Sequence, residues 1–210
     1  MDLSEIRKNY SRATLSEKSL HDPFPLFGKW MHEAIEGEVC EPTAMLLSTV
    51  SEDHSPSSRV VLLKLFTTGG FHFFTNYNSR KGLEIRANSR VALLFFWPEL
   101  EREVRIEGEA TFSPAEISDR YFSERPYESQ ISAVVSPQSR VVESREALEQ
   151  LWAEKFDAVA GKKLERPADW GGYFVRPYRI EFWQGRANRL HDRILFVKNE
   201  ENWIVSRLAP

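Results

Sequence analysis

From residue 43 onward, the apolar residues of this 210-residue chain follow the two-residue period of β-strands. Between residues 102 and 112, charged Arg105 and Glu107 alternate with apolar Val104 and Ile106, so that only one face of this segment can be buried. Strands are predicted at 43–50, 58–66, 71–75, 91–97, 102–112, 173–184, 189–198 and 203–208. Their mostly antiparallel order favours a β-barrel or a highly curved sheet with inserted helices over an alternating βαβ fold.

Helices are predicted before and between these strands, at 1–40, from 113 to about 135, and at 144–160. The first is expected to pack on the barrel, because apolar residues recur there at three- and four-residue steps. Ser113 and Glu116 match a capping box at the start of the second helix, and Gly161 is expected to end the third. No linker divides the chain, so residues 1–210 are expected to form one domain.

Composition excludes several classes of function. A formal net charge of -3 and a pI near 6.0 lack the basic excess typical of proteins that bind nucleic acids or anionic membranes. The single Cys40 cannot form an intramolecular disulfide, which favours a reducing, cytoplasmic location. The longest apolar run, 91–97, is far shorter than the roughly 20 residues that span a bilayer. There is no His-Glu-x-x-His motif, and no metal site is expected.

Two groups of cations are candidate anion-binding residues. Arg80 and Lys81 follow Ser79, a candidate helix N-cap, so both would lie in the first helical turn, where a phosphate would compensate their charge. Arg59 and Lys64 lie at the two ends of a mostly apolar strand, where site residues are common. For both groups, side chains that simply extend into water are an equally good interpretation.

Two further clusters suggest a site. Strand alternation would place Arg189, His191 and Arg193 on one face, about 7 Å apart, where they would repel one another unless an anion or an electron-rich ring lies against them. A solvated strand face is the alternative. Tyr121 and Arg125 share a four-residue spacing with Ser129, but Pro126 disfavours a continuous helix, so the three are expected to surround a small pocket.

Further motifs occur along the chain with these clusters. In chain order they are Arg59-Val60-Val61-Leu62-Leu63-Lys64, Phe74-Thr75-Asn76-Tyr77, Ser79-Arg80-Lys81, Tyr121-Phe122, Arg125-Pro126, Ser129-Gln130-Ile131, Gln138-Ser139, Trp170-Gly171-Gly172, Glu181-Phe182-Trp183-Gln184-Gly185, Arg189-Leu190-His191-Asp192-Arg193 and Arg207-Leu208-Ala209-Pro210. Together they strongly resemble the pyridoxine/pyridoxamine 5′-phosphate oxidases, from about Arg7 to the C-terminus. The resemblance implies an FMN-binding antiparallel split β-barrel and a homodimer, with one FMN in each of two clefts between the subunits.

The resemblance also implies which residues hold each ligand. FMN would be bound by Arg59, Val60, Val61, Leu62, Leu63, Lys64, Phe74, Thr75, Arg80, Lys81, Glu103, Gln138, Ser139, Trp183 and Arg193. The phosphorylated pyridine substrate would contact Arg7, Tyr10, Lys64, Tyr121, Arg125, Ser129, Arg189, Leu190 and His191. Arg189 and His191 would be the catalytic residues. The implied reaction oxidises pyridoxine or pyridoxamine 5′-phosphate to pyridoxal 5′-phosphate, reduces O2 to H2O2, and releases NH3 from the amine, as in vitamin B6 biosynthesis and salvage.

The chain departs from the family pattern at two positions. Glu103 stands where the family has glutamine, and as a carboxylate it can accept a hydrogen bond from flavin N3–H but cannot donate one to a flavin carbonyl. We hypothesise that Glu103 lowers the flavin potential or is partly protonated. Phe74 stands where tyrosine is usual, so any contact through that hydroxyl is lost. Alternative functions on the same scaffold are a phenazine-biosynthesis FMN oxidase, a non-catalytic flavin or pyridoxal-phosphate carrier, and a haem-binding protein.

Overall fold

The computed structural model describes residues 1, 3, 5, 9–159 and 161–210. Nine strands lie in this part of the chain: β1 Ala44–Val50, β2 Pro56–Leu62, β3 Leu65–Thr67, β4 Gly70–Asn76, β5 Arg90–Trp97, β6 Arg102–Phe112, β7 Trp170–Gln184, β8 Asp192–Asn199 and β9 Asn202–Arg207. The helices are α1 Pro23–Glu36, α2 Arg80–Ala87, α3 Ala115–Glu124, α4 Tyr127–Val135 and α5 Arg145–Val159. A short 3₁₀ turn covers Ala187–Arg189.

All strand pairs are antiparallel, in the order β2-β1-β5-β6-β7-β4-β3, with β8 pairing β7 and β9 pairing β8. One edge of the long strand β7 is divided between two partners, because Trp170–Val175 pair with β4 and Arg179–Gln184 pair with β8. The pairing with β6 shifts register at Gly108, which lies opposite Pro177. Such an irregularity bends a strand, and the curled, split sheet confirms the predicted fold class.

Helix α1 supplies much of the core. Its buried Phe27 ring packs against Phe66, Phe71 and Phe95, at centroid distances of 5.0, 5.0 and 5.3 Å. The Asp22 side chain accepts a hydrogen bond from the Phe24 amide and caps the start of the helix. The segment predicted to be helical, 1–40, is therefore helical only in part. The described residues 9–22 contain no helix. The packing of α1 against the sheet stabilises the barrel that carries the candidate site.

Three local predictions were wrong. The strand predicted at 58–66 is interrupted between β2 and β3, where the Lys64 amide donates to the His72 carbonyl. The strand predicted from residue 189 begins at Asp192, because Asn188 and Arg189 have φ angles of 56° and 61°, in the left-handed region. Ser113 does not cap α3; its hydroxyl lies 2.9 Å from His72 Nδ1 instead.

Candidate active site

The N-terminus of α2 places a buried ammonium group at the sheet. Ser79 caps this helix as predicted, since its Oγ accepts from the Gly82 amide. Lys81 Nζ donates to three neutral oxygens, those of Gln138 at 2.9 Å, Thr75 at 3.2 Å and Ser79 at 3.3 Å. Burial, and then the nearby positive charge of Arg59, lower the pKa of Lys81 to about 8. An anion at this helix N-terminus would stabilise the ammonium group.

A cavity of about 570 Å³ opens beside Lys81. It lies between β2, β4, the start of α2 and the end of α3, and its lining residues are Ser57, Ser58, Arg59, Val60, Val61, Leu62, Lys64, Phe74, Thr75, Arg80, Lys81, Tyr121, Arg125, Gln138, Ser139 and Trp170. The structure therefore brings together most of the residues predicted to bind the cofactor and part of the set predicted to bind the substrate. Sequence reasoning did not assign a site role to Ser57, Ser58 or Trp170.

The far wall of the cavity combines stacked rings with a buried guanidinium group. Phe74 stacks on Tyr121 at 4.0 Å and on Trp170 at 5.8 Å. The Arg125 guanidinium lies 4.7 Å from the Trp170 ring centroid. Its buried Nη1 has no hydrogen-bond partner among the described residues, and burial lowers the pKa of Arg125. A buried cationic donor without a partner is costly, so this wall is suited to a second anion.

Pro126 explains why Arg125 can face the cavity. A proline disfavours the helical conformation of the residue before it. Arg125 is accordingly extended, with φ −68° and ψ 149°, between α3 and α4. The predicted helix break is confirmed. Of the three residues expected to surround a pocket here, Tyr121 and Arg125 line the cavity and Ser129 does not.

A second group of predicted site residues, defined here as Tyr10, Glu103, Trp183, His191 and Arg193, lies outside the lining of this cavity. The Trp183 ring lies 4.7 Å from that of His191 and 5.6 Å from that of Tyr10. Across the sheet, Trp183 is paired with Glu103 on β6 and with Arg193 on β8. The sheet thus assembles these residues into one cluster.

Within this second group, His191 is held in a defined state. Its Nδ1 accepts a hydrogen bond from the Arg186 amide at 3.1 Å, so the proton of the neutral ring lies on Nε2. Burial, and then the charge of Arg189, lower the pKa of His191. The ring can therefore donate one hydrogen bond from Nε2 near neutral pH.

The remaining predicted residues have other positions. The Leu63 side chain is buried in the core, and Leu190 is exposed. Arg189 precedes β8 in an exposed turn, so the predicted single strand face for Arg189, His191 and Arg193 was wrong. Arg7 lies outside the described residues.

Two kinds of feature are absent from the part of the chain that the structure describes. No group of three or more His, Cys, Asp or Glu side chains there could hold a metal ion. None of the described helices combines the length and apolar character needed to cross a bilayer. The polar groups that line the cavity are cations, hydroxyls and amides, and they lie beside aromatic rings. These groups fit a flat, phosphorylated ligand such as a flavin nucleotide.

Comparisons with known proteins agree with this geometry. Residues 31–155 match the family model described as pyridoxamine 5′-phosphate oxidase, and residues 170–210 match the model of the pyridoxine 5′-phosphate oxidase C-terminal dimerisation region. Relatives named pyridoxine/pyridoxamine 5′-phosphate oxidase include one from Leptospira biflexa, 53% identical over 100% of this chain and 99% of its own length. Another, from Rubrobacter xylanophilus, is 51% identical over 100% and 97%.

A solved structure extends the likeness to three dimensions. The crystal structure of PhzG from Burkholderia lata 383, in complex with tetrahydrophenazine-1-carboxylic acid, covers 94% of this chain and 98% of that protein, with a TM-score of 0.89 and 29% sequence identity. The family models together span most of the sequence, and the relatives match it end to end. This chain belongs to the pyridoxamine 5′-phosphate oxidase family.

Proposed function

We propose that this chain is an FMN-dependent oxidase that converts pyridoxine 5′-phosphate or pyridoxamine 5′-phosphate to pyridoxal 5′-phosphate. The observation that carries the proposal is one cavity with two separate cationic groups. One is the buried Lys81 at the α2 N-terminus, and the other is Arg125, whose Nη1 has no hydrogen-bond partner among the described residues. Two phosphorylated ligands, a flavin nucleotide and a pyridine phosphate, would together compensate both. The names of relatives about 50% identical to this chain support the same reaction.

The residues at the α2 end of the cavity would hold the FMN phosphate. Lys81 and Arg80 lie in the first turn of the helix, and Arg59 reaches the same place from β2. FMN bound there would supply the two-electron redox chemistry, with O2 as the final acceptor. The alcohol and O2 then give the aldehyde and H2O2, and the amine, O2 and water give the aldehyde, H2O2 and NH3.

The residues at the other end would hold the substrate. Arg125, Lys64 and Tyr121 line this end and would bind its phosphate, to which Arg125 Nη1 presents a donor. The family resemblance adds Ser129, which does not line the cavity. His191 would donate from Nε2 to the pyridine substituents, with Arg189 and Leu190 beside it. Positioning of C4′ and exclusion of water are the contributions of the protein chain.

We propose that each active site is shared between two copies of the chain. The second group lies outside the cavity, yet it contains residues that the family resemblance assigns to FMN and to the substrate. Three of its members, Trp183, His191 and Arg193, fall in the segment matched to a dimerisation region. In a homodimer, the second group of one protomer would complete the cavity of the other. A cytoplasmic location remains a prediction from the single cysteine.

A phenazine-type FMN oxidase is the second candidate, because the solved relative from Burkholderia lata binds a tetrahydrophenazine carboxylic acid. A carboxylate could also accept hydrogen bonds from Arg125. The higher identity to relatives named for the B6 phosphates favours the first candidate.

The test is aerobic turnover of the purified, FMN-loaded chain. Pyridoxine 5′-phosphate and pyridoxamine 5′-phosphate are supplied separately, with unphosphorylated pyridoxine as the control, while pyridoxal 5′-phosphate and peroxide are measured together. We expect equal amounts of both products from the phosphorylated substrates and much less from pyridoxine. Tight FMN binding without either product would refute the assignment of the B6 phosphates as substrates and favour the phenazine-type oxidase or a carrier.

A further inference from the structure

A buried carboxylate behind the cavity joins two of its cations. Glu84 lies on α2 with only 5% of its side chain exposed. Its Oε2 accepts from Arg59 Nη2 at 3.0 Å, and its Oε1 accepts from Arg80 Nε at 2.8 Å. The two guanidinium groups come from different elements, β2 and α2, so one carboxylate fixes their relative position.

Hydroxyl groups hold this carboxylate in turn. Ser57 Oγ donates to Glu84 at 2.8 Å, and the buried Thr49 hydroxyl also donates to it. Both hydroxyls accept from Arg59 as well. Burial raises the pKa of Glu84, but the hydrogen bonds from Thr49, Arg80, Ser57 and Arg59 outweigh it and lower that pKa to about 2. Glu84 is therefore charged at neutral pH.

The charges of this network match those of a phosphate monoester. Arg59, Arg80 and Lys81 are positive and Glu84 is negative, so two net positive charges remain at this end of the cavity. A phosphate monoester carries about −1.5 to −2 charges at pH 7. Without Glu84, Arg59 and Arg80 would repel each other, and both long side chains would regain rotational freedom.

We propose that Glu84 is a positioning residue that holds Arg59 and Arg80 for the phosphate of FMN and thereby selects the phosphorylated flavin over riboflavin. The inference rests on the proposed function, because it takes FMN as the ligand. Glu84 itself does not line the cavity, and it acts only through the two arginines.

The test compares the affinities of the flavin-free protein for FMN and for riboflavin, by quenching of flavin fluorescence. Glu84→Gln is the variant, and Glu107→Gln is the matched control, because Glu107 also pairs with an arginine, Arg179 at 3.2 Å, but on the exposed face of β6. We expect Glu84→Gln to lower FMN affinity about 10-fold or more, with riboflavin affinity unchanged. Glu107→Gln should change neither.

Two results would overturn the inference. Equal losses for FMN and riboflavin would mean that Glu84 only maintains the fold, and tighter FMN binding would mean that its charge competes with phosphate. If Glu84→Gln does not fold, Thr49→Val keeps the side-chain shape and removes one of the carboxylate's partners. The ratio of FMN to riboflavin affinity should then fall in the same direction by a smaller factor, and an unchanged ratio would refute the proposal.

The unaltered chain separates this inference from the proposed function. Suppose that the unaltered chain prefers FMN and turns over the B6 phosphates. If the Glu84 and Thr49 variants then have the same ratio of FMN to riboflavin affinity as the unaltered chain, only the role of Glu84 is refuted. If the unaltered chain does not bind FMN, the proposed function and this inference fail together.

Discussion

Replacing Lys81 with methionine should stabilise the flavin-free protein while weakening its affinity for FMN. Lys81 is 9% exposed, and within the described part of the chain its Nζ donates hydrogen bonds only to neutral oxygens. Its pKa is lowered to about 8 from an ordinary value of 10.5. That difference corresponds to about 3 kcal/mol of unfavourable free energy for the charged form in the folded chain.

The lost hydrogen bonds offset only part of this gain. Thr75 Oγ1 still donates to Gln138, and Ser79 Oγ still donates to the Asn76 carbonyl, so neither hydroxyl is left without a partner. We therefore expect Lys81→Met to raise the free energy of unfolding at pH 7 by about 1–3 kcal/mol. FMN affinity should fall, because the phosphate loses a charged donor.

The pH dependence has a defined sign. Below pH 8, Lys81 is protonated in both the folded and the unfolded chain, so the unfavourable contribution is complete. Between pH 8 and 10.5, the unfolded chain keeps the proton that the folded chain has lost, so the unaltered protein gains up to about 1.4 kcal/mol per pH unit relative to the variant. The advantage of Lys81→Met should therefore shrink as the pH rises.

Urea unfolding of the flavin-free protein from pH 7 to 9.5, at one protein concentration, measures this directly. Lys18→Met, at an exposed lysine, is the control and should leave the free energy of unfolding nearly unchanged. The reasoning would be refuted if Lys81→Met had a lower free energy of unfolding than the unaltered chain at pH 7. It would also be refuted if the difference in free energy of unfolding between the two did not depend on pH.

Three further predictions concern the other residues of the site. Gly185→Ala should raise the KM for the phosphorylated substrate without changing FMN affinity, because a Cβ there would lie 2.8 Å from Tyr10 Cγ; equal effects on both ligands would contradict it. Arg125→Ala should raise the same KM about 10-fold or more with FMN affinity retained, in steady-state assays and flavin titrations. Glu103→Gln should raise the flavin midpoint potential, measured by spectroelectrochemistry, and unchanged potential and turnover would remove the role hypothesised for Glu103.

Features set by neighbours in the sequence were predictable. Alternation predicted β6 with the bounds that the structure has, and Ser79 was identified as an N-cap because the signal lies within one helical turn. The break at Arg125 followed from Pro126 alone. In each case, a short stretch of chain contains the whole physical cause.

Features set by distant residues were not predictable. The hydroxyl of Ser113 pairs with His72, which is 41 residues away, so its capping box never forms. The turn requires left-handed backbone angles at Arg189 as well as at Asn188, and although asparagine favours such angles, arginine gives no signal for them. Glu84 was missed because its partners Thr49 and Arg59 lie 35 and 25 residues away, and a lone acidic residue on a helix gives no signal.

The central claim is that two half-sites from two copies of the chain form one oxidase site, and complementation tests it most directly. Arg125→Ala weakens substrate binding in the cavity, and Arg189→Ala impairs the segment beside the second group, so at pyridoxine 5′-phosphate concentrations well below the wild-type KM each homodimer should have about a tenth of the wild-type rate or less. A heterodimer of the two variants, isolated with two different affinity tags, has one fully intact site if sites are shared, and we predict about half of the wild-type rate. A heterodimer no more active than its parents would contradict the account.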